Sequence, residues 1–150
     1  MGGGINNGNM TPCTEFNFYI DPEAAQIVMN SGVPITMVGI NLTVQATIDD
    51  ITIEEIQKLD NEKSKSEAGI MGRYREKDPA MHDPCAILAV TNPKTFEFEE
   101  LYVQVDTREG LTREMSYADY RPECTDKPNY KVAMKIDKEA FQKYILETFR

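Results

Sequence analysis

A short helix joined tightly to an apolar run constrains the fold of this 150-residue chain more than any other pattern in it. Residues 21–31 read as a helix, because Asp21 is placed to cap the first turn, Pro22 fits the first helical position and Gly32 follows the last turn. Residues 34–40 form an apolar run without polar alternation, which is typical of a strand buried on both faces of a parallel sheet. Together the two elements are half of a βαβ unit, so we expect an α/β fold.

The rest of the chain continues this mixed pattern. Residues 53–66 have apolar side chains at helical spacing and end in a charged run, which we expect to be a solvated helix face or a loop. Residues 85–90 are apolar enough for a buried helix, and residues 101–105 and 130–136 alternate like strands. A last helix is predicted from the cap Asp137, with its apolar stripe formed by Phe141, Tyr144, Ile145 and Phe149.

No repeat and no linker rich enough to mark a domain boundary interrupts the chain, so residues 1–150 are expected to form part of one domain. The net charge is -9, with only 16 lysines and arginines. A chain with this charge lacks the basic stripe that displaces counterions from phosphates, which argues against nucleic acid and anionic membranes as partners. A small molecule, or a neutral or cationic partner, is expected instead.

The cysteines indicate a reducing, cytoplasmic setting. Cys13, Cys85 and Cys124 are an odd number without Cys-x-x-Cys spacing, so neither a disulfide framework nor a zinc site is predicted. No apolar run approaches the roughly 20 residues of a membrane helix.

The only histidine of the chain, His82, stands directly before Asp83 and Pro84. An imidazole titrates near neutrality and a carboxylate binds hard cations, so the pair has the minimum chemistry for assisted hydrolysis. The alternative is structural: Asp83 is then only a helix cap, like Asp21 before Pro22, which has no histidine beside it.

The glycine-rich and asparagine-rich residues 1–9 are also open to two interpretations. They form either a frayed terminus or a backbone that approaches a ligand closely. Glu15 and Asn17 follow two residues apart, which places them on one face if the segment is extended. A carboxylate and an amide on one face can bind a polyol, or they can be the solvated face of an edge strand.

Several short motifs, in order along the chain, resemble the C-terminal half of the inosine/uridine-preferring nucleoside hydrolase family. Those motifs are Met1-Gly-Gly, Gly8-Asn9-x-Thr-Pro-x-x-Glu15-Phe-Asn17, Asp21-Pro-Glu-Ala-Ala25, Pro34-Ile-Thr-Met-Val-Gly39 and His82-Asp83-Pro84. The resemblance implies an α/β fold that is the C-terminal part of an open, mostly parallel sheet flanked by helices.

The resemblance also implies a reaction, in which water cleaves the N-ribosidic bond of a purine or pyrimidine ribonucleoside to a free base and ribose. In this family a calcium ion holds the attacking water and the ribose hydroxyls. By position, Asp83 resembles a calcium ligand and His82 resembles the active-site histidine near the departing base. The residues that resemble the ribose-binding positions are Met1, Asn9, Glu15 and Asn17.

The same resemblance points to a missing part. Family members are roughly twice as long, and their N-terminal half carries the Asp-rich motif that supplies most calcium ligands and the catalytic base. Nothing in this chain matches that motif, since Asp49 and Asp50 have the wrong spacing and are interpreted as the acidic start of a helix. Further departures from the family pattern at Asn41, Val44 and Glu114 bear on base preference.

We therefore expect the isolated chain to bind calcium weakly, to hydrolyse nucleosides poorly or not at all, and to have an incomplete sheet. A homo-oligomer or a complementing N-terminal half is the expected partner. The alternative is a truncated or degenerate, non-catalytic family member that acts as a binding partner or subunit complement.

Overall fold

The structure is a computed structural model that describes all of residues 1–150. Its helices alternate irregularly with short strands. The α-helices are α1 (Phe16–Ile20), α2 (Pro22–Met29), α3 (Ile40–Thr43), α4 (Asp50–Lys58), α5 (Glu62–Arg75), α6 (His82–Thr91) and α7 (Lys138–Glu147). A 3₁₀ turn, Pro93–Thr95, follows α6. None of these helices has the length and apolar character that a membrane crossing requires.

The strands form two small sheets. They are β1 (Thr36–Met37), β2 (Phe96–Leu101), β3 (Val103–Val105), β4 (Ser116–Ala118) and β5 (Tyr130–Ile136). The first sheet has the order β1-β5-β2, with β1 parallel to β5. The Asn129 amide donates to the Leu101 carbonyl and the Asp137 amide to the Thr95 carbonyl, so β2 runs antiparallel to β5. Strands β3 and β4 pair antiparallel. The α/β class predicted from the sequence is confirmed, with a mixed sheet.

Backbone contacts divide the chain into two compact units. The first unit comprises residues 1–42 and 96–135, and the second comprises residues 43–95 and 136–150. In the first unit, apolar side chains from the N-terminal segment, α2 and the strands form one core, which includes Ile5, Met29, Met37, Val103 and Val132.

The second unit is mainly helical. Helix α4 packs against α5 and α7. The fully buried side chains of Ile56 and Phe141 supply the apolar surface that holds such helices together. At the C-terminus, the Asn61 side-chain amide donates to the Phe149 carbonyl at 3.0 Å and joins the start of α5 to the end of the chain.

Two predicted helix caps, Asp21 and Asp137, are confirmed. Asp21 accepts a hydrogen bond from the Ala24 amide at the start of α2, and Asp137 accepts one from the Ala140 amide at the start of α7. Strand β5 has the predicted bounds. These elements follow from local chemistry, because capping and strand alternation involve residues close in sequence.

Two predicted elements have different bounds in the structure. Only Thr36–Met37 of the apolar run 34–40 is a strand, because the chain turns into helix α3 at Ile40. The segment 53–66 contains two helices, separated at Asp60, whose positive φ of 55° ends helical hydrogen bonding. The charged run is thus a solvated helix face, which was one of the two alternatives.

Candidate functional site

The N-terminal segment is packed into the first unit and is not a frayed terminus. The Gly3 carbonyl accepts a hydrogen bond from the Ile40 amide at 2.8 Å. The Gly4 amide donates to the Ser116 hydroxyl at 2.8 Å, and that hydroxyl donates back to the Gly4 carbonyl at 2.9 Å. Because Gly3, Gly4 and Ser116 are all buried, these bonds satisfy backbone groups that water does not reach.

Glycine is required at position 3. Its φ is +66°, a left-handed conformation that side chains rarely adopt. A β-carbon there would lie 2.7 Å from the Ser116 hydroxyl oxygen and 2.8 Å from the Met37 methyl carbon. The backbone therefore passes where no side chain fits, and the groups that it approaches are Ser116 and Met37 of the protein itself.

Glu15 is the buried anchor of this region. Only 3% of the residue is exposed, yet both carboxylate oxygens have partners. One oxygen accepts the Gly3 amide at 2.7 Å and the other accepts the Asn17 amide at 3.0 Å. Through the second bond Glu15 caps helix α1. The extended segment assumed for Glu15 and Asn17 is therefore wrong, because the cap starts a helix at Phe16.

Three other predicted ribose-binding residues surround the start of α1. The Asn17 side-chain amide donates to the Met1 carbonyl oxygen at 3.2 Å and to its sulfur at 3.5 Å. The Asn9 side-chain oxygen accepts the Phe16 amide at 2.9 Å. No protein group hydrogen-bonds the Asn17 side-chain oxygen or the Asn9 side-chain NH₂, and both residues are exposed. One acceptor and one donor thus remain for a ligand such as a sugar hydroxyl.

In the second unit, both ring nitrogens of His82 are engaged. Nδ1 lies 2.7 Å from the Thr43 hydroxyl oxygen, and Nε2 lies 2.9 Å from an Asp78 carboxylate oxygen. Burial acts to raise the pKa of Asp78, but hydrogen bonds from His82 and the Ala80 amide outweigh it, and the pKa lies below its usual value. The ring is 18% exposed, so one edge reaches solvent while both nitrogens are held.

The backbone before α6 fixes this arrangement. The Met81 amide donates to the Ala46 carbonyl at 2.9 Å, and the Ile48 amide donates to the Pro79 carbonyl at 3.2 Å. These two bonds tie the segment that carries Asp78 to the segment that follows Thr43. The histidine therefore sits between two elements that are themselves joined.

Asp83 is not the helix cap that the structural alternative proposed. The cap position is Met81, which is extended and has no capping side chain, and α6 begins at His82. Asp83 thus lies in the first helical turn, where a negative charge is favourable beside the amide end of the helix. Its exposed carboxylate makes no hydrogen bond or ion pair with the protein.

The residues present do not make a calcium site. No group of three or more histidine, cysteine, aspartate or glutamate side chains lies close enough to hold a metal ion. Calcium takes six to eight oxygen ligands, and Asp83 offers one carboxylate. The side chains of this chain therefore do not fit the ion on their own.

Sequence reasoning missed three residues at these positions. Asp78 belongs to a third Asp-Pro pair, with Pro79, and its place four residues before His82 was the available signal. Thr43 is 39 residues from His82, and Ser116 is 112 residues from Gly4. No local pattern marks contacts at such separations.

Comparison with known proteins decides the family. The family model for inosine-uridine preferring nucleoside hydrolases matches residues 1–143. The chain belongs to this family. It is 38% identical over 158 aligned positions to a pyrimidine-specific ribonucleoside hydrolase, RihA, of Shewanella sp. strain MR-4, covering 99% of this chain and 49% of that protein. It is 36% identical to RihA of Salmonella paratyphi A, covering 98% of this chain and 50% of the relative.

Solved structures of the family agree with the fold. A purine-preferring ribonucleoside hydrolase from Gardnerella vaginalis superposes with a TM-score of 0.85 at 26% identity, covering 99% of this chain and 50% of that one. A plant nucleoside hydrolase superposes with a TM-score of 0.83 at 28% identity, covering 99% and 51%. The chain thus spans about half the length of the family members it matches, in agreement with the resemblance to a C-terminal half.

Proposed function

We propose that this chain serves the hydrolysis of the N-ribosidic bond of ribonucleosides to a free base and ribose. The observation that carries the proposal is the grouping of Met1, Asn9, Glu15 and Asn17 around the start of α1, in a chain that matches the hydrolase family over residues 1–143. The named relatives range from pyrimidine-specific to purine-preferring, so the proposed substrate class is the ribonucleoside and not one base.

In the first unit we propose binding of ribose hydroxyls. A hydroxyl both donates and accepts, and the Asn17 oxygen and Asn9 NH₂ offer one acceptor and one donor. Glu15 positions these groups, because it accepts hydrogen bonds from the Gly3 amide in the N-terminal segment and from the Asn17 amide in α1. Each of its carboxylate oxygens keeps a further lone pair for a hydroxyl.

In the second unit we propose that His82 lies near the departing base and that Asp83 is one oxygen ligand of calcium. Negative charge builds on a base as it leaves, and a nearby proton donor lowers the cost of that charge. If calcium were bound with further ligands from outside this chain, Asp83 would be one of its ligands and the ion would orient the sugar hydroxyls and water. Asp83 is exposed and has no protein partner, so nothing in this unit competes for its carboxylate.

We expect the 150-residue chain to have no calcium-dependent turnover on its own, because its side chains form no metal-holding group. The test is to incubate the purified chain with inosine and with uridine, with calcium and with chelator, and to follow ribose release. Chelator-sensitive ribose release by the chain alone would refute the expectation. Isothermal titration of calcium should show at most millimolar affinity, and Asp83→Asn should weaken that binding further, because it removes the one carboxylate proposed as a ligand.

A positive test uses complementation. Adding a polypeptide that corresponds to the unmatched half of a relative should restore ribose release, and Asn17→Ala in this chain should reduce it by about tenfold or more, as the loss of a substrate hydrogen bond does. Matched Asn7→Ala, at an exposed asparagine outside the grouping, should not reduce it.

The second candidate is a non-catalytic family member that acts as a binding partner or subunit complement. The observation that favours it is the lack of a metal-holding group. If the chain is stable, binds ribose in calorimetry and yet gives no ribose release with the complementing half, this candidate replaces the first. A cytoplasmic location and a place in purine or pyrimidine salvage remain predictions, supported by three free cysteines and by the proposed products.

A further inference from the structure

We propose that Asp78 is a positioning residue for His82, which keeps a hydrogen on Nε2 and leaves Nδ1 as the ring nitrogen that a nucleoside base contacts. The inference rests on the proposed function, because it specifies how the proposed leaving-base histidine presents its ring. It concerns only Asp78, His82 and Thr43, which all belong to the second unit.

The carboxylate of Asp78 decides which nitrogen carries the hydrogen. An ionised carboxylate only accepts hydrogen bonds, so the ring nitrogen 2.9 Å from it, Nε2, must donate. The other Asp78 oxygen accepts the Ala80 amide at 2.9 Å, which fixes the orientation of the carboxylate. A carboxylate held at both oxygens cannot rotate, so its position decides which ring nitrogen carries the hydrogen.

Thr43, unlike Asp78, does not decide which ring nitrogen carries the hydrogen. Its hydroxyl is buried and lies 2.7 Å from Nδ1, but a hydroxyl donates or accepts as its neighbour requires. In the neutral ring Nδ1 accepts from Thr43, and the hydroxyl rotates without moving the side chain. Thr43 therefore bonds to Nδ1 without deciding whether that nitrogen carries a hydrogen. A ligand that replaces this bond can do so whether it donates to Nδ1 or accepts from it.

This arrangement gives the two nitrogens different roles. A hydrogen bond to a charged group is roughly twice as strong as one between neutral groups, so Nε2 stays with Asp78 when a competing group approaches. Nδ1 has the weaker, neutral partner. In the protonated ring the Nδ1 hydrogen is therefore the one that can pass to a departing base, and its loss leaves the neutral Nε2–H tautomer. An aspartate that holds one imidazole nitrogen and so fixes the tautomer at the other is a known way to prepare a histidine for chemistry.

The test is nitrogen NMR of the ring, which is unambiguous because the chain has one histidine. The ¹⁵N-labelled 150-residue chain is measured at about pH 9, where an imidazole is neutral. We expect the Nε2–H tautomer to dominate, and Asp78→Asn to lower the ratio of Nε2–H to Nδ1–H by about tenfold, since an amide can donate as well as accept. A matched Asp60→Asn, which removes an exposed carboxylate of the same unit, should leave the ratio unchanged.

Three results would overturn the inference: a dominant Nδ1–H tautomer in the unaltered chain, an unchanged ratio in Asp78→Asn, or a switch of tautomer in Thr43→Val. The first does not depend on any variant folding. Thr43→Val should retain Nε2–H and move only the Nδ1 resonance, because it removes the partner of that nitrogen alone. Amide spectra of each variant check that the fold is kept.

Titration with uridine and inosine separates this inference from the function on which it rests. A shift confined to Nδ1 supports both. A shift at Nε2 overturns the inference, because the base then displaces Asp78. No shift at either nitrogen counts against the proposed place of His82 near the base, while the tautomer ratios still decide the role of Asp78.

Discussion

The carboxylate that holds His82 belongs to Asp78, 2.9 Å from Nε2, and not to Asp83, its neighbour in sequence. Adjacent residues at the start of a helix point in different directions, about 100° apart around its axis. A residue four positions earlier, in the segment that leads into the helix, contacts the ring instead. The most conspicuous pair of the sequence is therefore two separate groups, an engaged histidine and an unpaired carboxylate.

Asp83→Ala should change the free energy of unfolding by at most about 0.5 kcal/mol, because Asp83 only adds charge to the first turn of α6. Asp49→Ala should cost about 1–2 kcal/mol, because Asp49 caps α4 by accepting both the amide and the hydroxyl of Thr52. Urea denaturation of the two variants makes the comparison. An equal loss in both would mean that Asp83 does cap its helix.

Gly3→Ala should destabilise the chain by about 2–4 kcal/mol, because it combines a left-handed backbone with contacts of 2.7 Å and 2.8 Å. Gly69→Ala is the matched control, since it lies inside α5 with nothing within 4 Å of the added carbon. It should stabilise the chain by about 0.5–1 kcal/mol. Thermal melting of both variants checks the prediction, which requires a lower melting temperature for Gly3→Ala and a higher one for Gly69→Ala.

Glu15→Gln should cost about 1–3 kcal/mol although it keeps the shape of the side chain. Two backbone amides donate to the carboxylate, and the NH₂ of glutamine would face one of them donor to donor. Glu55→Gln, at an exposed position of α4 without a hydrogen bond, should cost less than about 0.5 kcal/mol. Denaturant titrations decide the matter, and similar values for the two variants would contradict the anchoring role of Glu15.

Asp106→Asn should make the free energy of unfolding depend less on pH in the acid range. Hydrogen bonds from Arg108, outweighing burial and joined by one from Thr112, hold the pKa of Asp106 well below its usual value. A pKa lowered by folding stabilises the native state fully above the unfolded value of about 4, and this stabilisation is lost as the pH falls through that value toward the folded one.

The unaltered chain should therefore lose more stability between about pH 5 and pH 2 than Asp106→Asn does. At neutral pH the variant should be less stable by only about 1–2 kcal/mol, because the Arg108 side chain is 81% exposed and its charge is screened. Asp126→Asn, at an exposed position without a hydrogen bond, serves as control. Parallel pH profiles of Asp106→Asn and the unaltered chain would contradict the assignment.

Some parts of the fold could be predicted because their causes are local. Asp21, Asp49 and Asp137 each cap the helix that follows, and strand β5 has the bounds that its alternation indicates. The buried face of α2 could not be predicted in this way: Pro22 and Met29 are buried, while Val28 is 58% exposed. Which side of a short helix is covered depends on what lies beside it, and α2 lies beside β3.

The sequence by itself determined the family and the α/β class, because ordered motifs and capping residues involve positions that are close together in the chain. Only the tertiary structure decided that Glu15 is a buried anchor for Gly3, that Ser116 bonds the Gly4 backbone, and that His82 is held by Thr43 and Asp78. The physical reason is that a buried polar group must find its partner wherever the fold brings one, and for His82 and Thr43 that partner is 39 residues away.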